Sequence, residues 1–496
     1  MNPLSITLAA AEAPDSLALV SADGALTFAA LAAAAAPVVR RLHDASLPAR
    51  RPVALVAHPD ATSIVTLLAL LEHGAPALLL HPRWTATERA AVLAQARPAL
   101  VIEHDTWQVP AATATQATIA SPLTARDTAA IVYTSGSTAL PRGVELATGA
   151  LVAAAAASAA NLGWQPDDRW LMCLPFAHVG GLSIITRCLL ARRTIALGAP
   201  DPARLAATLA DTRSTLLSLV PTTLARVVDH GTAPPACLRA VLVGGAAAAP
   251  SLLVRARAAG WPILTTYGLS ETAGQLATQR ASIGVAIDTD TGIDTDTGCG
   301  PALPGLALRI GPDQHIQVAG PTLFTGYFPG APRGPGWFDT GDLGHLDAAG
   351  NLHVHGRADE VIITGGENVS PHEVEAALTA IPGVVAACVF ALPDATWGNL
   401  VAAASITTTT PTTPTTPTTT PPSDAALATA LAATLAPFKR PRLIATLDLP
   451  ALPSLASGKL DRAASARAAV AGLRPLAYPS ASPANAAMIA GGGAAR

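Results

Sequence analysis

A chain of 496 residues is too long for one compact core, so two or more domains are expected. Half of the residues are hydrophobic, but much of that half is alanine, and polar residues break every apolar run before the about 18 residues that a membrane span needs. A net charge of −3 without a long basic block argues against nucleic acid as the main partner.

The N-terminal stretch MNPLSITLAAAEAPDSL lacks the basic start and long apolar core of a signal peptide. Cys173, Cys188, Cys237, Cys299 and Cys388 form no Cys-x-x-Cys pair, and so odd and scattered a set fits reduced thiols in the cytoplasm. TFAALAAAAAPVVRRLHD reads as a helix, RPVALVAH as a short buried strand, DATSIVTLLALLEHG as a helix ending at Gly74, and APALLLHP as a strand. Strand runs return in STLLSLVP, LRAVLVGG and WPILTTYG. Strands alternating with helices predict a parallel sheet with crossover helices, whose ligands collect at the carboxyl ends of the strands. LMCLPFAHVGGLSIITRCLL is the most apolar stretch, but it holds Pro175, His178, paired glycines and Arg187, so it reads as buried or site-lining.

Two stretches are of low complexity. IDTDTGIDTDTG, from Ile287 to Gly298, has the acidic spacing of a calcium loop, yet reads better as a solvated loop expansion. The run Thr407 to Pro422 is threonine and proline, which favours extended, solvated backbone. The flanking AACVFAL, VAAASIT and DAALATALAATLAPF read as parts of one small α+β domain, so the run is an inserted loop, expected to be dispensable, rather than a linker. The tail, residues 476–496, is expected to be disordered.

The chemistry starts at IVYTSGSTALPRGVEL, where a strand runs straight into a loop of small hydroxyl residues. Thr134, Ser135, Ser137 and Thr138, with backbone N–H groups freed by Gly136, can surround an anion, and Arg142 adds positive charge. It is not a Walker A loop, which ends in Gly-Lys-Ser/Thr. In TTYGLSETAGQ, Tyr267 offers a flat ring, Gly268 a close approach to backbone, and Glu271 a hard oxygen ligand for Mg²⁺. GWFDTGDLG places Asp342 after a tight turn. GRADEVIITGGENVSPHEVEAAL supplies Arg357, Asp359, a glycine pair and a capped helix start, and PSLASGKLDR ends the series with Lys459.

In this order and spacing, the motifs resemble the adenylate-forming superfamily of acyl-CoA synthetases, adenylation domains and luciferases, over roughly residues 15 to 470. The resemblance implies an α/β fold: a large N-terminal domain (1–356) of two α/β subdomains plus a small β-barrel, and a small mobile α+β C-terminal domain (357–475) carrying the inserted loop. It implies ATP, Mg²⁺ and coenzyme A as cofactor and co-substrates. The loop from Ser135 to Gly143 would hold the β- and γ-phosphates, with Thr138 and Glu271 at the Mg²⁺. Tyr267 would stack on adenine, and the VGGAA segment with Gly244 and Gly245 would wall the other side. Asp342 would bind the ribose with Arg357 close by, Asp359 would be the hinge, and Lys459 would bridge carboxylate and α-phosphate. Two positions depart from the pattern: Ala139 stands where glycine is usual, and Arg142 where lysine is usual. If position 139 needs a positive φ, alanine costs about 1 kcal/mol there. Arginine keeps the charge but changes the donor geometry.

For the acid substrate, Ala177 after Phe176 removes the aspartate by which amino-acid-activating relatives pair an ammonium group, and His178 matches acyl- and aryl-CoA ligases. HVGGLSIITR, the short polar SETAGQ with Ser270, and DATWGNLV look like the o-succinylbenzoate-activating ligases of menaquinone synthesis. That substrate carries a second carboxylate, for which Arg187 is the candidate counter-charge. Other aryl or medium-chain acids, a carrier-protein thiol as acceptor, and a non-catalytic nucleotide binder are the competing expectations. Arg187 could instead cap or salt-bridge a helix end, and His178 could be an ordinary buried histidine. His345, His353 and His355 invite a transition-metal reading but fit better as solvated strand residues. Small molecules are the expected partners, and a homodimer is left open.

Overall fold

The computed structural model describes residues 2–47, 51–108, 123–134, 142–280, 298–407, 421–455 and 460–478. It divides into two compact units, with the main boundary between Val354 and His355. In the first unit, local signals set the elements. Thr27 caps the helix Phe28–Asp44 by accepting from the Ala30 amide, and the helix continues through Pro37. Asp60 caps Ala61–His73 through the Ser63 amide at 2.8 Å, and Gly74 closes that helix at φ 89°, a left-handed conformation that glycine adopts without a Cβ penalty.

The strands form two large sheets. One has seven strands, in the order Gly326–Phe328, Arg142–Ala147, Thr128–Thr134, Ala77–Leu80, Val53–Val56, Leu100–Glu103 and Thr106–Gln108. Its inner pairs are parallel, and Thr128–Thr134 also pairs antiparallel with Arg142–Ala147. The other has eight strands, in the order Gly274–Thr278, Ile263–Leu269, Ala240–Val243, Leu216–Leu219, Arg169–Met172, Thr194–Leu197, Leu17–Ser21 and Gly24–Thr27. Its six inner strands run parallel. Val53–Val56, Ala77–Leu80 and Ala240–Val243 are buried on both faces, as expected for strands covered by crossover helices. One continuous apolar core joins helices and strands of both sheets, with Phe28, Trp170 and Phe176 among its largest side chains. A four-stranded antiparallel sheet, from Ala307–Ile310 to Leu352–Arg357, forms the smaller β-subdomain.

The second unit is α+β. Its main sheet joins Val384–Asp394, Gly398–Thr407, Leu443–Thr446 and Arg474–Pro475. Val401 and Ala403, before the threonine–proline run, share one core with Leu427, Ala428 and Leu431 after it. The two flanks of the run therefore belong to one core, while residues 408–420 lie outside the described residues. The expected disordered tail starts too early: Leu476 is buried and the Tyr478 hydroxyl donates to the Pro441 carbonyl at 2.9 Å, so apolar packing carries the fold past residue 475.

Candidate active site

The loop expected to hold phosphate leaves the strand Thr128–Thr134 and returns as Arg142–Ala147, its antiparallel neighbour. Thr134 and Arg142 are directly paired at its mouth, with the Thr134 hydroxyl donating to the Arg142 carbonyl at 3.4 Å. Ser135, Gly136, Ser137, Thr138 and Ala139 lie outside the described residues, as do Lys459 and most of the acidic hexapeptide repeat.

Opposite stands the strand Ile263–Leu269, which carries Tyr267 and ends in the short turn Ser270–Thr272 holding Glu271. The Tyr267 hydroxyl donates to the Asp342 carboxylate, so the expected adenine and ribose residues meet across 75 positions of chain. Glu271 is held twice. Its carbonyl accepts from the Phe324 amide at 2.9 Å, and its carboxylate accepts from the Tyr327 hydroxyl at 3.0 Å. Tyr327 lies on the strand that pairs with Arg142–Ala147, and the Arg142 guanidinium stands 5.6 Å from its ring. Burial and the Glu271 charge push the Tyr327 phenol up to about 12, so it stays a donor. Tyr327 thus links the two sheets: it meets a carboxylate at the end of one and a cation at the mouth of the loop on the other.

The glycines have backbone reasons. A Cβ on Gly244 would meet the Thr266 carbonyl at 2.6 Å, and Gly245 sits at φ 80°. Gly268 was expected to admit a ligand. Its Cβ would instead fall 1.9 Å from the Gly274 carbonyl, so the neighbouring strand alone requires glycine there.

Arg187 lies in the interior of the helix Val179–Ala191, only 4% exposed, not at the helix end. Its Nε is buried without a hydrogen-bond partner, and no carboxylate pairs with it among the described residues. Its guanidinium lies 5.3 Å from the Trp170 ring, a cation–π contact that compensates only part of its lost hydration. Burial pulls its ordinary 12.5 down to about 10, which leaves it charged near neutral pH. Arg239 shows how this fold treats a structural arginine: it takes both oxygens of Asp168 and the carbonyls of Leu162 and Gly163. Arg187 has no such set. Gly274 stands beside it, since a Cβ there would lie 3.6 Å from an Arg187 nitrogen and 2.8 Å from the Ser183 hydroxyl. Ser270 is partly buried at the start of the Glu271 turn.

His178 precedes that helix, and its ring centroid lies 5.1 Å from that of His81. His81 directly follows the strand Ala77–Leu80, beside Trp84, which meets Tyr133 edge-on. His81 Nδ1 accepts from the Arg83 amide at 3.1 Å, while its Nε2 is buried without a partner among the described residues. Burial, then the His178 ring and Arg83, push its pKa from 6.5 to about 4. The unfolded chain therefore takes up this proton more readily. The stabilising contribution is fully present above pH 6.5 and is lost as the pH falls through 6.5 toward about 4. In melting curves across that window, His81→Asn is expected to flatten the acid-side loss of Tm; parallel curves would refute the assignment.

Arg357 and Asp359 belong to the second unit, where they pair with each other at 3.1 Å. In the same unit Arg462 is anchored by Glu360 at 3.2 Å, by Glu375 and by the Val389 carbonyl at 2.9 Å. His345 and His353 stack at 4.7 Å, and His353 pairs with Asp347. Sequence reading missed Tyr327, His81, Ser183 and Gly274. His81 carried a usable signal, because it sits at the carboxyl end of a parallel strand.

Two large sheets bridged by Tyr327 and Glu271, with Tyr267 bonded to Asp342, fit the adenylate-forming class of nucleotide-using enzymes. The chain belongs to the AMP-binding enzyme family: that family's model matches residues 6–328, and the model of the AMP-binding enzyme C-terminal domain matches residues 373–459. It is 30% identical over 480 residues to the 2-succinylbenzoate–CoA ligase of Bacillus licheniformis, covering 90% of this chain and 96% of the relative. It resembles the structure of o-succinylbenzoate CoA synthetase from Bacillus subtilis in complex with the acyl-adenylate intermediate, with a TM-score of 0.80 and 28% identity over 93% of this chain and 97% of that one. The same Bacillus subtilis enzyme in complex with ATP and magnesium ion gives a TM-score of 0.78, again at 28% identity, over 93% of this chain and 98% of that one.

Proposed function

We propose that the chain is an ATP-dependent, AMP-forming acid–CoA ligase that converts o-succinylbenzoate to its CoA thioester, the reaction named for its relatives. The observation that carries the substrate is Arg187, a buried cation with no anionic partner among the described residues, as a second carboxylate requires. In the first step a carboxylate oxygen attacks the α-phosphorus of ATP and pyrophosphate leaves. In the second a thiol sulfur attacks the acyl carbon, AMP leaves, and the thiol proton passes to solvent.

Both reactants of the first step are anions, so charge must be offset before they meet. The hard oxygens of Glu271, with Thr138, suit Mg²⁺, which when bound supplies charge neutralisation on the phosphates. Tyr327 holds the Glu271 carboxylate in place from the other sheet. Arg142 supplies fixed positive charge at the loop mouth, with Thr134 and residues Ser135 to Ser137 as phosphate donors. Tyr267, Gly244, Gly245 and Asp342 receive the nucleoside, and Lys459 meets the reacting carboxylate. Asp359 is the proposed hinge, paired with Arg357. A cytoplasmic location accords with this reading, because ATP, CoA and reduced thiols coexist there and all five cysteines are free.

The direct test incubates the purified chain with ATP, Mg²⁺ and CoA, and with o-succinylbenzoate, benzoate, octanoate or succinate. AMP and thioester are followed by mass spectrometry. Thioester from o-succinylbenzoate alone is expected. Thioester from benzoate or octanoate instead would overturn the substrate, and AMP without thioester would overturn CoA as acceptor.

A further inference from the structure

A second cluster of ligand-type side chains lies at the carboxyl edge of the seven-stranded sheet, away from the nucleotide residues. His58 follows the strand Val53–Val56, Asp60 caps the next helix, and His104 occupies the hairpin turn between Leu100–Glu103 and Thr106–Gln108. One ligand atom from each lies within 4.8 Å of the others. The two imidazoles stack with centroids 4.4 Å apart, and His104 Nε2 is 3.0 Å from Asp60 Oδ2. No other group of three such side chains converges in this way among the described residues.

We propose that His58, Asp60 and His104 form a binding site for a late first-row divalent ion, of which Zn²⁺ is the representative. Two imidazoles and one carboxylate match the preference of such ions, whereas Mg²⁺ and Ca²⁺ favour all-oxygen sets. The carboxylate is preorganised: Asp60 Oδ1 accepts the Ser63 amide at 2.8 Å, which fixes the side chain and aims Oδ2 at His104. His58 has an outer partner, since Glu103 Oε1 lies 3.4 Å from its Nε2 and Glu103 is itself tied to Arg89 at 3.0 Å. Outer carboxylates of this kind orient metal-bound imidazoles.

The backbone supplies an independent observation. His104 holds φ 49°, in the left-handed region where glycine or asparagine is the cheaper choice for a hairpin turn. From this turn the His104 ring stacks on that of His58. Tetrahedral ligation with bonds of about 2.0–2.1 Å asks for ligand atoms about 3.3 Å apart, so the cluster must contract on binding. His104 can do this, because its side chain is 49% exposed.

The site is distinct from that of the nucleotide. In the sheet order, Val53–Val56 is two strands from the loop-bearing Thr128–Thr134 and Leu100–Glu103 is three. At about 4.8 Å per strand these are separations of about 10 and 14 Å. A bound ion would pin the tip of the hairpin to the start of the helix Ala61–His73.

The test titrates the full-length chain, stripped with EDTA and desalted, with Zn²⁺ by calorimetry and with Co²⁺ by visible absorption. One ion per chain with tetrahedral Co²⁺ bands is expected. His104→Ala and Asp60→Asn should each weaken Zn²⁺ binding at least tenfold. They should also remove the rise in Tm that Zn²⁺ produces, while the Tm in EDTA stays near that of the parent. Asn keeps the helix cap, so Asp60→Asn removes the charge without removing the cap. Equal Zn²⁺ affinity in the parent and in the His58→Gln, His104→Ala double variant would overturn the proposal, as would the absence of saturable binding to the parent.

Discussion

Replacing Arg187 by Met is expected to lower kcat/KM for o-succinylbenzoate by about 10²–10³-fold while leaving Tm unchanged or higher. The loss corresponds to about 3–4 kcal/mol, within the range for truncating a buried charge pair. The stability side has the opposite sign to most core substitutions. Without ligand the guanidinium is a buried cation whose compensation comes from the Trp170 ring, and its depressed pKa records the unpaid desolvation. Methionine removes that penalty with little loss of volume. A carboxylate remote from the reacting carbon is bound nearly alike in ground and transition states, so the loss should fall mainly on KM. An aromatic monocarboxylate lacking the second acid group should give no thioester with either protein. Unchanged kinetics for the dicarboxylate would remove Arg187 from the substrate site, and a fall in Tm would make it a structural residue.

Glu271→Gln is expected to reduce kcat by about 10²–10³-fold and to move the Mg²⁺ dependence of the reaction to higher concentration. The amide keeps an oxygen but loses the negative charge, and one lost electrostatic contact in a water-poor site is worth about 3–4 kcal/mol. Tyr327→Phe provides the graded comparison. It deletes the 3.0 Å hydrogen bond that orients the carboxylate but leaves the charge, so a smaller fall in kcat is expected, with a partial shift of the Mg²⁺ midpoint. A Glu271→Gln enzyme that is slow yet has an unshifted Mg²⁺ midpoint would assign the residue to packing of the Ser270–Thr272 turn instead of to the metal.

Elements and motif order were legible because their signals are local. Asp60 and Gly74 bracket a helix by capping rules that act within four residues, and buried parallel strands such as Ala77–Leu80 announce themselves as short aliphatic runs. The patterns on both sides of the threonine–proline run were legible as parts of one small core for the same reason. The chain's own sequence thus determined its fold class, its family and the reaction class, through motifs whose chemistry is carried within single loops. What it could not contain was the pairing between them. Tyr327 reaches Glu271 from 56 positions away, and His104 reaches Asp60 from 44, because crossover connections place their strands side by side or edge to edge. Nor does a sequence distinguish Arg239, saturated by Asp168, from Arg187, buried without a carboxylate among the described residues; both are arginines among apolar neighbours. Only the tertiary structure decided which of the two is free to bind an anion, since hydration and partners are properties of positions in space and not of positions along the chain.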